Sequence, residues 1–274
     1  MRVDVFLVSG GYTHSRERAK QLIRSGFVTV DGRTVRRASE EVGDGIHRVE
    51  VRDPARYVSR GGEKLEAALS AFGLNPAGWR ALDIGASTGG FTDCLLQHGA
   101  ASVVAVDSGV GQLAPALAGD PRVSSLEHCN ARYLAPERIG GAVRLIVMDV
   151  SFISGTLILP RFPELLEPVG DAICLIKPQF EVGRAHIGKG GIVRDPRAHR
   201  MAIERVIECA VSLGLRSVGL IPSPIPGGDG NREFLVRLTQ GQDLPPLSDE
   251  AVLAITENHT KGDGYAENRT DHQL

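Results

Sequence analysis

Residues 83–90 read Asp-Ile-Gly-Ala-Ser-Thr-Gly-Gly, after Ala81-Leu82 and before the helical pattern of Phe91, Leu95 and Leu96. A glycine-rich turn between a strand and a helix lets backbone N–H groups approach a ligand closely, because no Cβ stands in the way. The spacing departs from the Gly-x-Gly-x-x-Gly of dinucleotide sites, and no lysine is placed to clamp a phosphate. An acid at the strand end suits a cationic cofactor bearing an amino acid, which points to S-adenosylmethionine. Asp83, Gly85, Ser87, Thr88, Gly89 and Gly90 are the candidate contacts at its methionine end. Asp107 closes the next apolar run, Val103-Val104-Ala105-Val106, where an acid takes the ribose hydroxyls of an adenosine cofactor. Asn130 is a candidate for the adenine edge.

Two residues could act on a substrate beside that cofactor. Asp149 ends the run before Val150-Ser151-Phe152, and Lys177 ends the run before Pro178-Gln179-Phe180. A lysine leaving a buried strand next to a carboxylate can orient a ribose hydroxyl or accept its proton. The plainer alternative is a snorkelling surface lysine. Other methyl transfers fit less well. A methylase of exocyclic base nitrogens would show Pro-Pro and an aromatic after Asp149, and that motif is absent. A carbon-five cytosine methylase needs a nucleophilic cysteine near this point, and Cys129 and Cys174 stand in the wrong places.

The elements that must position these residues alternate. Strands are expected near 80–84, 102–106, 123–126, 144–148, 172–176 and 216–221. Helices are expected near 61–72, 88–98, 111–118, 155–166 and 197–213. Such alternation predicts an α/β fold with a doubly wound, mostly parallel seven-stranded sheet of the Rossmann-like kind. The last strand, 234–238, follows a turn-rich stretch with no helix, so it should run antiparallel to its predecessor. We expect four parts: a small N-terminal α+β module over 1–51, a linker over 52–58, the sheet domain over 59–241, and an acidic, flexible tail over 242–274, in which 250–255 could form one short helix.

In the N-terminal part, Ser15 can cap a helix that Gly26 stops. Ala19, Leu22 and Ile23 form its buried stripe. Arg16, Lys20 and Arg24 share another face. Val28-Thr29-Val30, Asp31-Gly32 and Arg33-Thr34-Val35 read as a hairpin with a type I′ turn. Residues 14–37 hold seven cations, including Arg18, Arg36 and Arg37, against two acids, although the chain of 274 residues has a net charge of only −2. Concentrated positive charge suggests a polyanionic partner; an ordinary solvated charged face is the alternative. No apolar run is long enough for a membrane span, and Val5-Phe6-Leu7-Val8 is too short for a signal peptide. The four cysteines form no Cys-x-x-Cys pair, which suits reduced thiols in a cytoplasmic protein and disfavours a zinc site.

Several stretches resemble known families. Arg2–Leu7, Ser15–Ala19 and Ile23–Gly32 resemble the small RNA-binding module of ribosomal protein S-four. Ser59–Leu65, Asp83–Thr92, Asp107–Leu113, Asp149–Ser154, Lys177–Gly183 and Gly227–Phe234 resemble the TlyA family of ribosomal RNA 2′-O-methyltransferases, often labelled haemolysin A, whose catalytic domain is similar to the FtsJ/RrmJ group. The resemblance implies a Lys-Asp-Lys-Glu tetrad on Lys64, Asp149, Lys177 and Glu233. It also implies a cytidine of ribosomal RNA as target, ribosomal RNA or subunits as partner, no metal, and S-adenosylmethionine as cofactor. Gly155 departs from the family pattern, where a bulkier residue is common. Nothing in the sequence signals an oligomer, so a monomer is expected. The competing readings are a non-catalytic RNA-binding or assembly factor and a membrane-active haemolysin.

Overall fold

The computed structural model describes residues 1–13, 16–43, 45, 47–51 and 56–257. Ser15, residues 52–55 of the expected linker and residues 258–274 of the expected tail lie outside this set. The chain divides into two compact units, Met1–Arg56 and a second beginning at Tyr57.

The first unit comprises α1 (Val3–Ser9), α2 (Arg16–Arg24), β1 (Val28–Val30), β2 (Arg33–Thr34) and β3 (Val49–Val51). The strands form an antiparallel sheet in the order β2-β1-β3. Asp31 and Gly32 both have positive φ, 52° and 77°, as a type I′ turn requires. Gly26 ends α2 at φ 76°, and the N–H groups of Gly26 and Phe27 bond back to Ile23 and Leu22. The sequence reading did not anticipate α1. Its Val3 and Leu7 are buried only because Ala19, Leu22, Ile23 and Val28 close over them.

The second unit comprises α3 (Gly61–Phe72), β4 (Arg80–Ile84), α4 (Gly90–Gln97), β5 (Ser102–Val106), α5 (Pro115–Ala118), β6 (Val123–Leu126), α6 (Pro136–Ile139), β7 (Val143–Met148), α7 (Phe162–Leu165), β8 (Leu166–Ile176), α8 (Pro178–Glu181), α9 (Pro196–Ser212), β9 (Arg216–Pro222), β10 (Phe234–Thr239) and α10 (Asp249–Glu257). Its seven-stranded sheet runs β6-β5-β4-β7-β8-β10-β9. The first five strands are parallel, and β10 is antiparallel to both β8 and β9. Alternate residues serve opposite faces. Leu82, Ile84, Ile146 and Met148 pack with Phe162, Ile203 and Val206, whereas Ala81, Leu145 and Val147 pack with Leu65, Leu69 and Leu95. Covering both faces explains why the parallel strands read as unbroken apolar runs. Among the described residues no helix is long and apolar enough to cross a membrane.

Four expectations need correction. The helix expected over 155–166 is two 3₁₀ turns, Gly155–Leu157 and Leu159–Arg161, followed by the single turn α7. Pro160 and Pro163 remove the N–H donors that a continuous helix would use. The helix expected over 111–118 shrinks to α5, because Gly111 sits at φ 66° and Pro115 starts the turn. Tyr57, placed in the linker, is buried against Leu65 and Phe91. Residues 242–257, assigned to a flexible tail, are bound to the sheet domain. The Gln242 amide donates to Asp171, the Leu247 N–H to Ser217, and α10 packs on α9 and β9.

The sheet edge opposite the ligand side is tied by Asp171. Its fully buried carboxylate takes Arg237 Nε and Nη2 at 2.9 and 2.7 Å and lies 3.5 Å from Arg144. Asp171→Ala strands the half-buried Arg237 charge, so urea unfolding should show a loss of about 3–5 kcal/mol. Cofactor affinity of the folded variant should be unchanged. A loss under about 1 kcal/mol would refute this anchoring role.

Candidate active site

β4 lies where the strand order reverses, with β5 and β6 on one side and β7 and β8 on the other. In such sheets the crevice opens at the carboxyl ends of the strands around that point. Gly85 leaves β4 there, and Asp149 leaves β7. Gly85 has φ 84°, and a Cβ at this position would come within 2.4 Å of the Asp149 carbonyl oxygen. Glycine therefore lets the two strand ends approach.

A cavity of about 470 Å³ opens beside this junction, lined among others by Gly85, Ser87, Asp107, Gln112, Asn130 and Ile158. A smaller pocket of about 190 Å³ shares Gly85, Ser87, Asp149 and Ser151 with it and adds Ser59, Thr88, Gly90 and Lys177. Of the predicted cofactor residues, Gly85, Ser87, Thr88, Gly90, Asp107 and Asn130 thus line one cavity or both, and Asp149, expected beside the methyl donor, lines both. Gly89 lines neither. Its φ of 94° bends the chain, and a Cβ would meet Leu117 at 2.4 Å. Asp83 also lines neither and is buried beneath the turn.

Asp107 shapes the larger cavity. Its Oδ2 accepts the Ser87 N–H at 2.8 Å and its Oδ1 the Gly109 N–H at 2.7 Å. Ser87 is held in the left-handed region, φ 48°, so this bond restrains a costly conformation. A carboxylate offers about four acceptor positions, which leaves capacity for two hydroxyls. The Asn130 Oδ1 accepts the Arg132 N–H at 3.1 Å, so its amide NH₂ remains for a ligand.

Asp83 Oδ2 accepts the Thr92 hydroxyl at 2.7 Å, whereas Oδ1 is buried without a hydrogen-bond partner. Burial, aided by the nearby negative charge of Asp149, pushes the carboxyl up to about 7 against the Thr92 bond, which favours the charged form.

The four tetrad candidates form two ion pairs. Lys177 Nζ lies 2.6 Å from Asp149 Oδ1 and donates to Ser151 Oγ at 2.8 Å. Lys64 Nζ donates to Glu233 Oε2 at 2.5 Å, with side-chain exposures of 9% and 3%. Lys64 and Glu233 line neither cavity, although α3 begins at Gly61, which does. The segment leading into β10 holds Glu233 in place. The Asn231 Oδ1 accepts the Val193 N–H at 2.9 Å, and Phe234 packs edge-on to His199, ring centroids 5.6 Å apart.

The sequence reading missed Ser59, Ser108, Gln112, Ser151 and Phe152 as lining residues. Phe152 is the most informative. It has φ 64°, is 92% exposed, and its ring centroid lies 5.4 Å from that of Phe180. A strained backbone holds an apolar ring out at the cavity rim. Its position in Asp-Val-Ser-Phe, just after a strand's carboxyl end, was the available signal. Of the cysteines considered for covalent chemistry, Cys129 lines the larger cavity, away from the pocket of Lys177. Burial pushes the Cys174 thiol far up, out of the nucleophilic range.

In the first unit the basic residues differ in their commitments. Arg16 lies 2.8 Å from the buried Asp4 carboxylate, which also takes Arg2. The Arg16 hydrogen bond, with Arg2, holds Asp4 down at about 2. Arg16 therefore also takes part in the unit's internal bonding, while its side chain stays 55% exposed. Arg18 bonds Gln21, and Lys20 pairs with exposed Glu17 at 3.1 Å, which binds it weakly. Arg24, Arg36 and Arg37 are exposed.

The state of Asp83 gives a signed prediction. Its folded value lies above the ordinary aspartate value of 3.8, so the folded chain binds more protons. Stability present at pH 4 should be lost as pH rises towards 7, by at most about 1.4 kcal/mol per pH unit. Asp83→Asn should be close to neutral at pH 4 and progressively stabilising up to pH 7. Urea unfolding of the cofactor-free proteins at several pH values checks this, and a difference independent of pH contradicts it.

Residues 57–240 match the FtsJ-like methyltransferase family, and residues 1–45 match the S4 domain. The chain is 47% identical over 261 residues to the 16S/23S rRNA (cytidine-2'-O)-methyltransferase TlyA of Mycobacterium tuberculosis, covering 93% of this chain and 97% of that one. It is 43% identical over 236 residues to the Hemolysin A of Brachyspira hyodysenteriae, covering 86% and 98%. A solved structure, a protein from Streptococcus thermophilus described as a hemolysin, is 42% identical, covers 94% of each chain and superposes with a TM-score of 0.74. The chain belongs to the FtsJ-like methyltransferases and, among them, to the TlyA family.

Proposed function

We propose that this protein transfers a methyl group from S-adenosylmethionine to the ribose 2′-oxygen of a cytidine in ribosomal RNA. The observation that carries this reading is the Lys177–Asp149 pair. Lys177 lines the smaller pocket, and that pocket shares Gly85, Ser87, Asp149 and Ser151 with the larger cavity. A reacting hydroxyl and a methyl donor can therefore occupy adjoining sites with Asp149 between them.

The larger cavity fits the cofactor on three counts. Two acids, Asp107 and Asp149, suit a cation; Val150, Ile153 and Ile158 offer an apolar wall for adenine; and Asp107 retains acceptor capacity for ribose hydroxyls. The bound cofactor supplies a methyl group on a sulfonium, which is already a good leaving group, so positioning carries much of the acceleration. Lys177 orients the 2′-hydroxyl; after its ammonium has released a proton to solvent, the neutral amine would take the hydroxyl proton as the oxygen gains the methyl and the sulfonium leaves as a neutral thioether. Asp149 holds the lysine amine. Lys64 and Glu233, a buried ion pair, fix the start of α3 and hence Gly61 and Ser59 at the pocket. Phe152, exposed at the rim, offers a face on which a base can stack.

The S4-type unit supplies RNA affinity. Arg24, Arg36 and Arg37, with Lys20, are cations available to phosphates, and Arg16 also serves the fold. Replacing those four with Ala should weaken RNA binding and lower the salt slope by roughly 0.7–0.9 for each phosphate no longer neutralised. Cofactor affinity should not change. An unaltered slope would remove these residues from the RNA surface.

The chemistry is tested at Lys177. Lys177→Ala should reduce single-turnover methyl transfer by at least about 100-fold at saturating RNA and cofactor, with both still bound. Lys177→Arg should fail nearly as badly, because a guanidinium stays protonated and differs in shape. A lysine that only contacts a phosphate predicts rescue by Arg, and near-wild-type turnover in that variant would sink the mechanism. A non-catalytic RNA-binding factor would show no incorporation even with the parent protein.

A further inference from the structure

We infer that Ser151 is a positioning residue for Lys177, setting the one direction from which its nitrogen can meet a substrate hydroxyl. The inference rests on the proposed role of Lys177. A lysine nitrogen has tetrahedral geometry and, when charged, three N–H donors. One N–H donates to Ser151 Oγ at 2.8 Å, and Asp149 Oδ1 lies 2.6 Å from the nitrogen as an ion-pair partner without hydrogen-bond alignment. The charge of Asp149 holds the nitrogen in place, and the aligned bond to Ser151 sets how its N–H groups are turned. With both sides occupied, one face of the nitrogen remains open. Ser151 accepts an N–H from the ammonium and from the neutral amine alike, so that face persists whether the nitrogen donates to the substrate or accepts from it.

The surrounding chain is built to keep Ser151 there. Phe152, the next residue, sits at φ 64°, a strained conformation for a bulky side chain that survives only when its surroundings enforce it. Two and three residues further on, Glu181 holds the same loop. Its buried carboxylate accepts the Gly155 N–H at 2.8 Å and the Ser154 hydroxyl, while Arg205 donates to its carbonyl at 2.6 Å. Glu181 is the last residue of α8, and Lys177 immediately precedes the first. One short helix thus sets the lysine at its start and clamps the serine loop at its end. Ser151 also borders both cavities, at the boundary where donor and hydroxyl must meet.

Single-turnover methyl transfer from labelled S-adenosylmethionine to unmodified 30S and 50S subunits tests this, with Ser151→Ala, Ser151→Thr and Lys177→Ala compared. Ser151→Ala should slow the step by about ten- to a hundredfold, the loss expected for one hydrogen bond to a charged group. Its KM for subunits, calorimetric cofactor Kd and thermal midpoint should stay at parent values. Ser151→Thr, which keeps the hydroxyl, should recover most of the rate. A Ser151→Ala rate within twofold of the parent, with Lys177→Ala inactive, overturns the inference and leaves the Lys177 reading intact. A cofactor Kd that weakens in step with the rate also overturns it, making Ser151 a cofactor contact. An active Lys177→Ala overturns both.

Discussion

The catalytic unit depends on holding one ammonium–carboxylate pair out of bulk water. Lys64 and Glu233 are separated by 169 residues, yet their charged atoms meet at 2.5 Å in a nearly dry environment. Desolvating such a pair costs about as much as the attraction returns, so burial of this kind is weak evidence for stability. Its effect is geometric. Losing either partner leaves an uncompensated buried charge, so the start of α3 and the approach to β10 are locked to one another. Much of the surrounding bonding serves that lock: Asn231 reaching to the segment at Val193, Phe234 against His199, and Arg232 donating to the last carbonyls of α10. The C-terminal helix thereby braces the residue next to Glu233.

A second constraint acts where the strands end. The β4 and β7 exits approach so closely that Gly85 admits no side chain, and the loops that leave them carry strain at Ser87 and Phe152. Both strained residues are restrained by carboxylates: Asp107 bonds the Ser87 N–H, and Glu181 clamps Ser154 and Gly155 beyond Phe152. Acids thus have three kinds of work in this region. Asp107 and Glu181 shape backbone, Asp149 pairs with Lys177, and Asp83 is buried with one oxygen unpartnered, its carboxyl pushed up by that burial.

The parts legible in the sequence were those whose cause is local. The Asp31-Gly32 turn declares itself by residue type, and the parallel strands read as apolar runs because both faces are covered. The glycine turn and Asp107 were readable because strand ends place them by rule. What failed was set by partners distant in sequence. Helix α1 exists because α2 and β1 cover it, and Arg16 looked like a free cation because nothing nearby in sequence reveals the Asp4 pair. The helix expected over 155–166 failed for a local reason that was overlooked, the two prolines. At the site, residue type alone singled out Lys177 and Asp149, and resemblance added Lys64 and Glu233. Their pairing, and the roles of Ser151, Phe152 and Glu181, required three dimensions.

On this mechanism the lysine–carboxylate pair at the cavity junction directs methylation to a ribose oxygen and not to a base. Nucleoside mass spectrometry of ribosomal RNA digests, after reaction of unmodified subunits with the purified protein and isotopically labelled S-adenosylmethionine, tests it most directly. The labelled methyl is expected on the ribose of cytidine, as 2′-O-methylcytidine. Label on a cytosine ring atom or an exocyclic nitrogen, or no label with the folded and cofactor-bound protein, would contradict it.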